Sequence, residues 1–173
     1  MSIARLIPGR LKIFALPLSV PEAVLNKTLF TPELVRKWKG QYALDFSSYA
    51  GTCSRQNYHT LINTFTTRDW PRLASPVLVA DIDLHADPAE FLETRHAFEV
   101  TQTGTLSGIL IFFEIRLSKT VGFSIHPDEA TIENSWASKL WIPGTAIHLK
   151  EGKKAELIYR YNENEKSGFE IIR

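Results

Sequence analysis

From residue 76 to its end the chain is a succession of short strand-forming stretches cut by turn signals, and this pattern restricts the fold more than any other feature. Residues 77–84 begin as an apolar run, Val77-Leu78-Val79-Ala80, and then alternate through Asp81-Ile82-Asp83-Leu84. Residues 95–102 alternate as well, with Phe98 and Val100 on one side. Alternation sends every second side chain to a buried face and suits antiparallel pairing. Residues 105–117, rich in Ile and Phe, are long enough to bend across two sheets or around a barrel, with Gly108 placed for a bulge or a close approach. Residues 121–125, 139–142, 155–161 and 168–172 read as further strands. They are separated by turn signals at His126-Pro127-Asp128, Pro143-Gly144, Glu151-Gly152 and residues 162–167. Seven or more short strands of this kind imply a sandwich or a barrel.

The N-terminal part differs in texture. Residues 10–18 carry apolar side chains at Leu11, Ile13 and Phe14 and a proline only near the end, which suits a first strand. Thr31-Pro32-Glu33, then Leu34, Val35 and Trp38, then Gly40, combine an N-cap, a first-turn proline, an early carboxylate and a terminating glycine. Residues 55–65 form a second, weaker helical candidate, with Tyr58, Leu61, Ile62 and Phe65 three and four apart. The expected fold is therefore mainly β: an antiparallel barrel or sandwich with a short helical arm inserted after the first strand. It reads as a single domain over residues 1–173, with the arm-like insertion at 19–75.

Bulk properties exclude several functional classes. Twenty basic against nineteen acidic residues leave a net charge of +1, so no long-range field draws the chain to nucleic acid or anionic lipid. Cys53 is the single cysteine, which excludes an internal disulfide and points to a reducing, cytoplasmic compartment. Pro8 and Gly9 interrupt the first apolar stretch before a secretory h-region forms. The longest apolar run, residues 109–113, falls far short of the roughly 20 residues a membrane helix needs.

Candidate chemistry is sparse. A nucleotide-like cofactor needs a glycine-rich turn between a strand and a helix, so that backbone N–H groups approach it. Thr103-Gly104-Thr105-Leu106-Ser107-Gly108 instead lies between two strand patterns and reads as a β-turn with a bulge. The histidines, at 59, 85, 96, 126 and 148, do not fall at metal-ligand spacings, so no metal site is assigned. Cys53 reads as a small buried thiol despite neighbouring Arg55. Asp81 and Asp83 share one strand face, which is expected to be the solvated one. No residue is assigned a catalytic role. Of the four tryptophans, Trp141 is expected in the core, Trp136 on the rim of a cleft or buried, and Trp38 against a partner.

Gly122-Phe123-Ser124-Ile125-His126-Pro127, then Asn134-Ser135-Trp136, Lys139-Leu140-Trp141 and Leu149-Lys150-Glu151-Gly152, resemble the C-terminal β-barrel of the protein arginine methyltransferases. Leu6-Ile7-Pro8 and the strand after it look like that barrel's first strand, residues 38–46 like the start of the family's dimerisation arm, and residues 79–84 like the return into the barrel. The resemblance implies a two-lobed enzyme that moves a methyl group from S-adenosylmethionine to an arginine nitrogen. In it, this chain forms one wall of the substrate cleft. It also implies that the cofactor belongs to an upstream methyltransferase domain, with none bound by this chain itself. Asn134, Ser135 and Trp136 become substrate-binding candidates, and Leu34, Val35 and Trp38 become dimerisation candidates for a homodimer, with a peptide or protein as substrate. The family's loop histidine is here Ser135, and its paired glutamates and glycine-rich cofactor loop have no counterpart. Without the resemblance, the same residues describe a self-contained β-sandwich module that binds a peptide or carbohydrate through Trp136.

Overall fold

A computed structural model describes residues 8–28, 31–48, 58–86, 91–118, 120–133, 136–162 and 165–172. Cys53, Asn134 and Ser135 lie outside the described residues. The fold is mainly β, in three antiparallel sheets, with helices confined to the segment after the first strand. Among the described residues no sheet closes into a barrel.

Strand β1 (Arg10–Leu18) forms the axis of the main sheet, between β3 (Val77–Asp83) and β6 (Gly108–Arg116). It pairs with β6 over its full length, from Arg10 opposite Arg116 to Leu18 opposite Gly108. Because the side-chain period is two, this register sends Ala15 and Ile109 to one face and Phe14, Leu16, Leu18, Leu110 and Phe112 to the other. Pro17 is tolerated inside the strand because β3 ends at Val77, opposite Ala15. The missing N–H on that side removes no ladder bond, while the Pro17 carbonyl accepts from Leu73 N at 3.0 Å. The sheet continues through β8 (Ala137–Ile142) to β2 (Tyr58–Asn63), and β7 (Gly122–Ser124) pairs with the far end of β6.

The first face of the main sheet packs against a three-stranded sheet built from β4 (Phe91–Glu99), β10 (Lys154–Asn162) and β11 (Glu165–Ile172). Phe98, Leu157, Tyr159 and Phe169 meet Ala15, Val79, Ile109 and Trp141 there, so Trp141 is a core residue as expected. The rings of Tyr159 and Trp141 lie 5.2 and 5.7 Å from Phe169. A two-stranded ribbon, β5 (Gly104–Leu106) with β9 (Ile147–Leu149), closes one end. The opposite face carries a second core of Leu16, Leu110, Phe112, Ile125, Leu140 and Ile142, with Val24 and Leu25 of helix α1 (Glu22–Thr28) packed on it. Burying each such Leu or Ile contributes roughly 1.5–3 kcal/mol.

Three elements differ from the sequence expectation. Residues 58–63 form an edge strand registered on β8 from Tyr58–Ile142 to Asn63–Ala137, where a helix was expected. The three-and-four spacing that suggests a helix also satisfies period two in a stretch of Tyr, Thr and Ile, and pairing with β8 decides the matter. The stretch after it turns as a 3-10 helix, Thr64–Thr67, capped by Asn63. Helix α2 (Pro32–Tyr42) starts as expected, Thr31 accepting from Leu34 N at 3.2 Å. It does not stop at Gly40. It continues to Tyr42, and Ala43 takes the left-handed position (φ 55°) from which its N–H reaches Lys39 O. The expected bulged turn at 103–108 is instead a sheet-to-sheet crossing. β5 and β6 are separate strands broken at Ser107, whose hydroxyl accepts from Val20 N at 2.8 Å. Gly108 does make a close approach, because a Cβ there would overlap the Val20 side chain.

Candidate functional site

Trp136 precedes β8 and is 55% exposed, so of the two placements its loop left open it is not the buried one. Its indole is held edge-on against Phe113 (5.6 Å) and tilted against Phe123 (6.3 Å), and those two rings lie 6.2 Å apart. An aromatic platform therefore stands where β6, β7 and the start of β8 converge. A depression of about 530 Å³ lies beside it, lined by Trp136, Phe123, Ser124, Glu129, Thr131 and Glu133. A second, of about 390 Å³, shares Gly122, Phe123, Ser124 and Glu129 with the first and continues to Lys12, Glu114 and Arg116. Together they form one groove across β7, β6 and β1.

The wall bearing Glu129 and Thr131 is fixed from the segment after β2. Arg68 donates to three backbone carbonyls of that wall, Pro127 at 3.4 Å, Asp128 at 3.2 Å and Ala130 at 2.9 Å, while its guanidinium lies 4.9 Å over the Phe65 ring. Arg72 forms a two-pronged ion pair with Asp128. Hydrogen bonding from Arg72 holds the Asp128 carboxyl below the usual carboxylate range, with the positive charge of Arg72 as a further cause. The turn itself is closed by Glu129 N and Ala130 N donating to His126 O, each at 2.9 Å.

Part of the surface charge is ion-paired, including that of Arg10, which itself lines the second depression. Arg10 is paired with Asp81 through Nε at 2.6 Å and Nη2 at 2.7 Å, and the guanidinium holds the Asp81 carboxyl low. Asp83 accepts from His85 N at 2.9 Å. Asp81 and Asp83 lie on the exposed face, as expected for an antiparallel strand, and both have structural partners. Arg160 joins Glu93 and Glu170 across the outer face of the three-stranded sheet. The other charged residues lining the groove, Lys12, Glu114, Arg116, Glu129 and Glu133, close no ion pair among the described residues. Lys12 and Glu114 are even directly opposed in the β1–β6 register. Among the described residues no three His, Cys, Asp or Glu side chains converge as a metal site, and no helix is long and apolar enough to cross a membrane.

The three arm candidates differ from one another. Val35 is buried, whereas Leu34 and Trp38 are half-buried. Trp38 packs edge-on against Phe46 at 5.8 Å, and Tyr42 and Leu44 beyond it are more than half exposed. Phe113, Phe123, Glu129, Glu133 and Arg68 were not singled out as site residues from sequence. Only the motif around Phe123 and the turn after His126 marked the region.

A search of solved structures finds a likeness to a chain of the Trypanosoma brucei PRMT1 enzyme-prozyme heterotetrameric complex with AdoHcy, at 12% identity and a TM-score of 0.60. The likeness is one of fold. It covers 88% of this chain and 47% of that one, so this chain spans about half the length of the structure it matches. No family model and no curated protein matches the sequence.

Proposed function

We propose that this chain is the substrate-binding and dimerisation domain of an S-adenosylmethionine-dependent methyltransferase of the arginine-methyltransferase type. In this reading residues 1–173 form one domain, the arm within 19–75 being the part that carries α2 while β2 returns to the main sheet, and methyl transfer needs a cofactor lobe from outside these residues. The observation that carries the reading is the fold likeness over 88% of the chain to about half of a chain from the PRMT1 enzyme-prozyme complex. The aromatic platform of Phe113, Phe123 and Trp136 supports it, being an apolar, partly exposed sheet end of the kind that faces a second lobe or a substrate. Asn134 and Ser135, which precede Trp136 in the sequence, are the other substrate-binding candidates in this reading. In the arm, Leu34 and Trp38 supply the dimer contact together with Tyr42 and Leu44, and buried Val35 stiffens the helix that presents them.

The test compares the protein recovered from its native source with the isolated 173-residue chain. The native preparation is expected to transfer labelled methyl from S-adenosylmethionine to a protein acceptor, while the isolated chain neither transfers it nor takes up the cofactor saturably. Tight, saturable S-adenosylmethionine binding by the isolated chain would overturn the proposal.

A further inference from the structure

Strand β2 ends the main sheet, and among the described residues it pairs only with β8, so one side of its backbone is open there. An open edge is a template for another strand, and proteins usually blunt it with charges, bulges or a covering element. The other terminal strands of the two larger sheets carry such devices. β3 bears Asp81 and Asp83, its register shifts opposite Ile13 and Phe14, and its Val79 carbonyl accepts from Thr94 Oγ1 at 2.9 Å. β4 contains Glu93, Arg95 and Glu99, and β11 contains Lys166 and Glu170. β2, by contrast, reads Tyr58-His59-Thr60-Leu61-Ile62-Asn63, with no Lys, Arg, Asp, Glu, Gly or Pro. Leu61 lies opposite Lys139, on the face that buries Trp141, yet it is 73% exposed.

We infer that β2 is a self-association edge, on which the β2 of a second copy of this chain pairs antiparallel with Leu61 opposite Leu61 across a two-fold axis. The contact is separate from the arm contact proposed above and does not depend on methyl transfer. A two-fold that continues a sheet stands perpendicular to it, so it sets one residue opposite itself and keeps every other pair on a shared face. Centring on Leu61 places Thr60 opposite Ile62 and His59 opposite Asn63, and it covers the exposed leucine with its own copy. Charge selects the occupant. On a symmetric edge a charge stands beside its own copy, and like charges opposed across strands are destabilising. β3 would bring Asp81 and Asp83 against their copies, whereas β2 brings no such charge. The contact is small: six residues at roughly 3.4 Å each, by a sheet depth of about 10 Å, give on the order of 400 Å² over both copies. Standard interfaces bury about 1,200 Å² or more, so the dissociation constant is expected on the order of 0.1 mM.

Sedimentation equilibrium of the full chain between about 10 and 500 µM is expected to show a weight-average mass rising from the monomer toward the dimer. Leu61→Lys and Leu61→Glu each set like charges across the axis and are expected to weaken the dimer roughly tenfold or more. An equimolar mixture of the two variants regains association, because opposite charges then face one another. Position 61 is exposed, and unchanged circular dichroism melting confirms that both variants fold. Tyr42→Lys in the arm is expected to leave this association as it is. A chain that stays monomeric over the range, an association indifferent to both charges at position 61, or a mixture that associates no better than either variant alone would overturn the inference. Association lost with Tyr42→Lys but kept with the position-61 variants would overturn it too, and would assign the dimer to the arm.

Discussion

Arg68→Ala is expected to loosen the groove wall without unfolding the sheets, and its size can be worked from three distances. The carbonyls of Pro127, Asp128 and Ala130 accept from the guanidinium at 3.4, 3.2 and 2.9 Å. A well-formed hydrogen bond from a charged donor contributes about 1.5 kcal/mol or more, but the two longer bonds are weak and the released carbonyls regain water. Adding about 0.5 kcal/mol for the guanidinium over Phe65 gives a local cost near 1.5–2 kcal/mol. That corresponds to a roughly ten- to thirtyfold rise in the opening of the turn. The amides of Glu129 and Ala130, which donate to His126 O, report it directly by hydrogen exchange. Amides in the β1–β6 ladder should keep their protection. Arg68→Lys retains the charge but not the planar fork, and should recover little of the loss. Unchanged exchange at Glu129 and Ala130, or faster exchange spread evenly over the main sheet, would refute the argument.

The core makes a second expectation concrete: Leu140 of β8, opposite Leu110 of β6, is fully buried in the second core, so Leu140→Ala should cost about 2–5 kcal/mol in urea unfolding, and a loss under 1 kcal/mol would contradict its place there. Gly108→Ala should cost about 1–3 kcal/mol, because the new methyl overlaps Val20 and comes within 3.1 Å of Leu140 Cδ1. Adding Val20→Ala should return part of that cost, and strict additivity of the two would show that the contact does not limit the site. Acid stability gives a further check. The Asp128 carboxyl is held low in the fold by Arg72, so its contribution is present above the ordinary carboxylate pKa of about 3.9 and is lost as pH falls through the lower folded value. The melting difference between the wild type and Asp128→Asn should therefore be constant at neutral pH and vanish in strong acid. It should stay below about 1 kcal/mol because the carboxylate is more than half exposed. A difference that grows on acidification would reverse the assignment.

The strands of this chain were legible wherever apolar and polar residues alternate without competition from another period. Residues 10–18 and 77–83, with the apolar run of 108–116, are such cases, and they pair side by side in the main sheet, with β3 at its edge. Residues 58–63 were not, because six residues with apolar side chains at Tyr58, Leu61 and Ile62 fit both periods, and the deciding partner, β8, lies some eighty positions away. Helix α2 shows the same limit at smaller scale: its start was written in Thr31 and Pro32, but its end depended on Ala43 adopting a left-handed backbone that no residue type announces. The groove was harder still. Trp136 drew attention as a large aromatic in a loop, yet its character comes from Lys12, Glu114, Arg116 and Glu129, which individually read as solvated charges. What makes them a set is register. The pairing of Arg10 with Arg116 and of Glu114 with Ser124 fixes where the charges on these strands stand, and a slip of one residue in the β1–β6 ladder would send Lys12 and Glu114 to opposite faces. The apolar residues that enforce this register, buried Leu16 opposite Leu110 and half-buried Phe14 opposite buried Phe112, are thus as much determinants of the candidate site as the charges that line it.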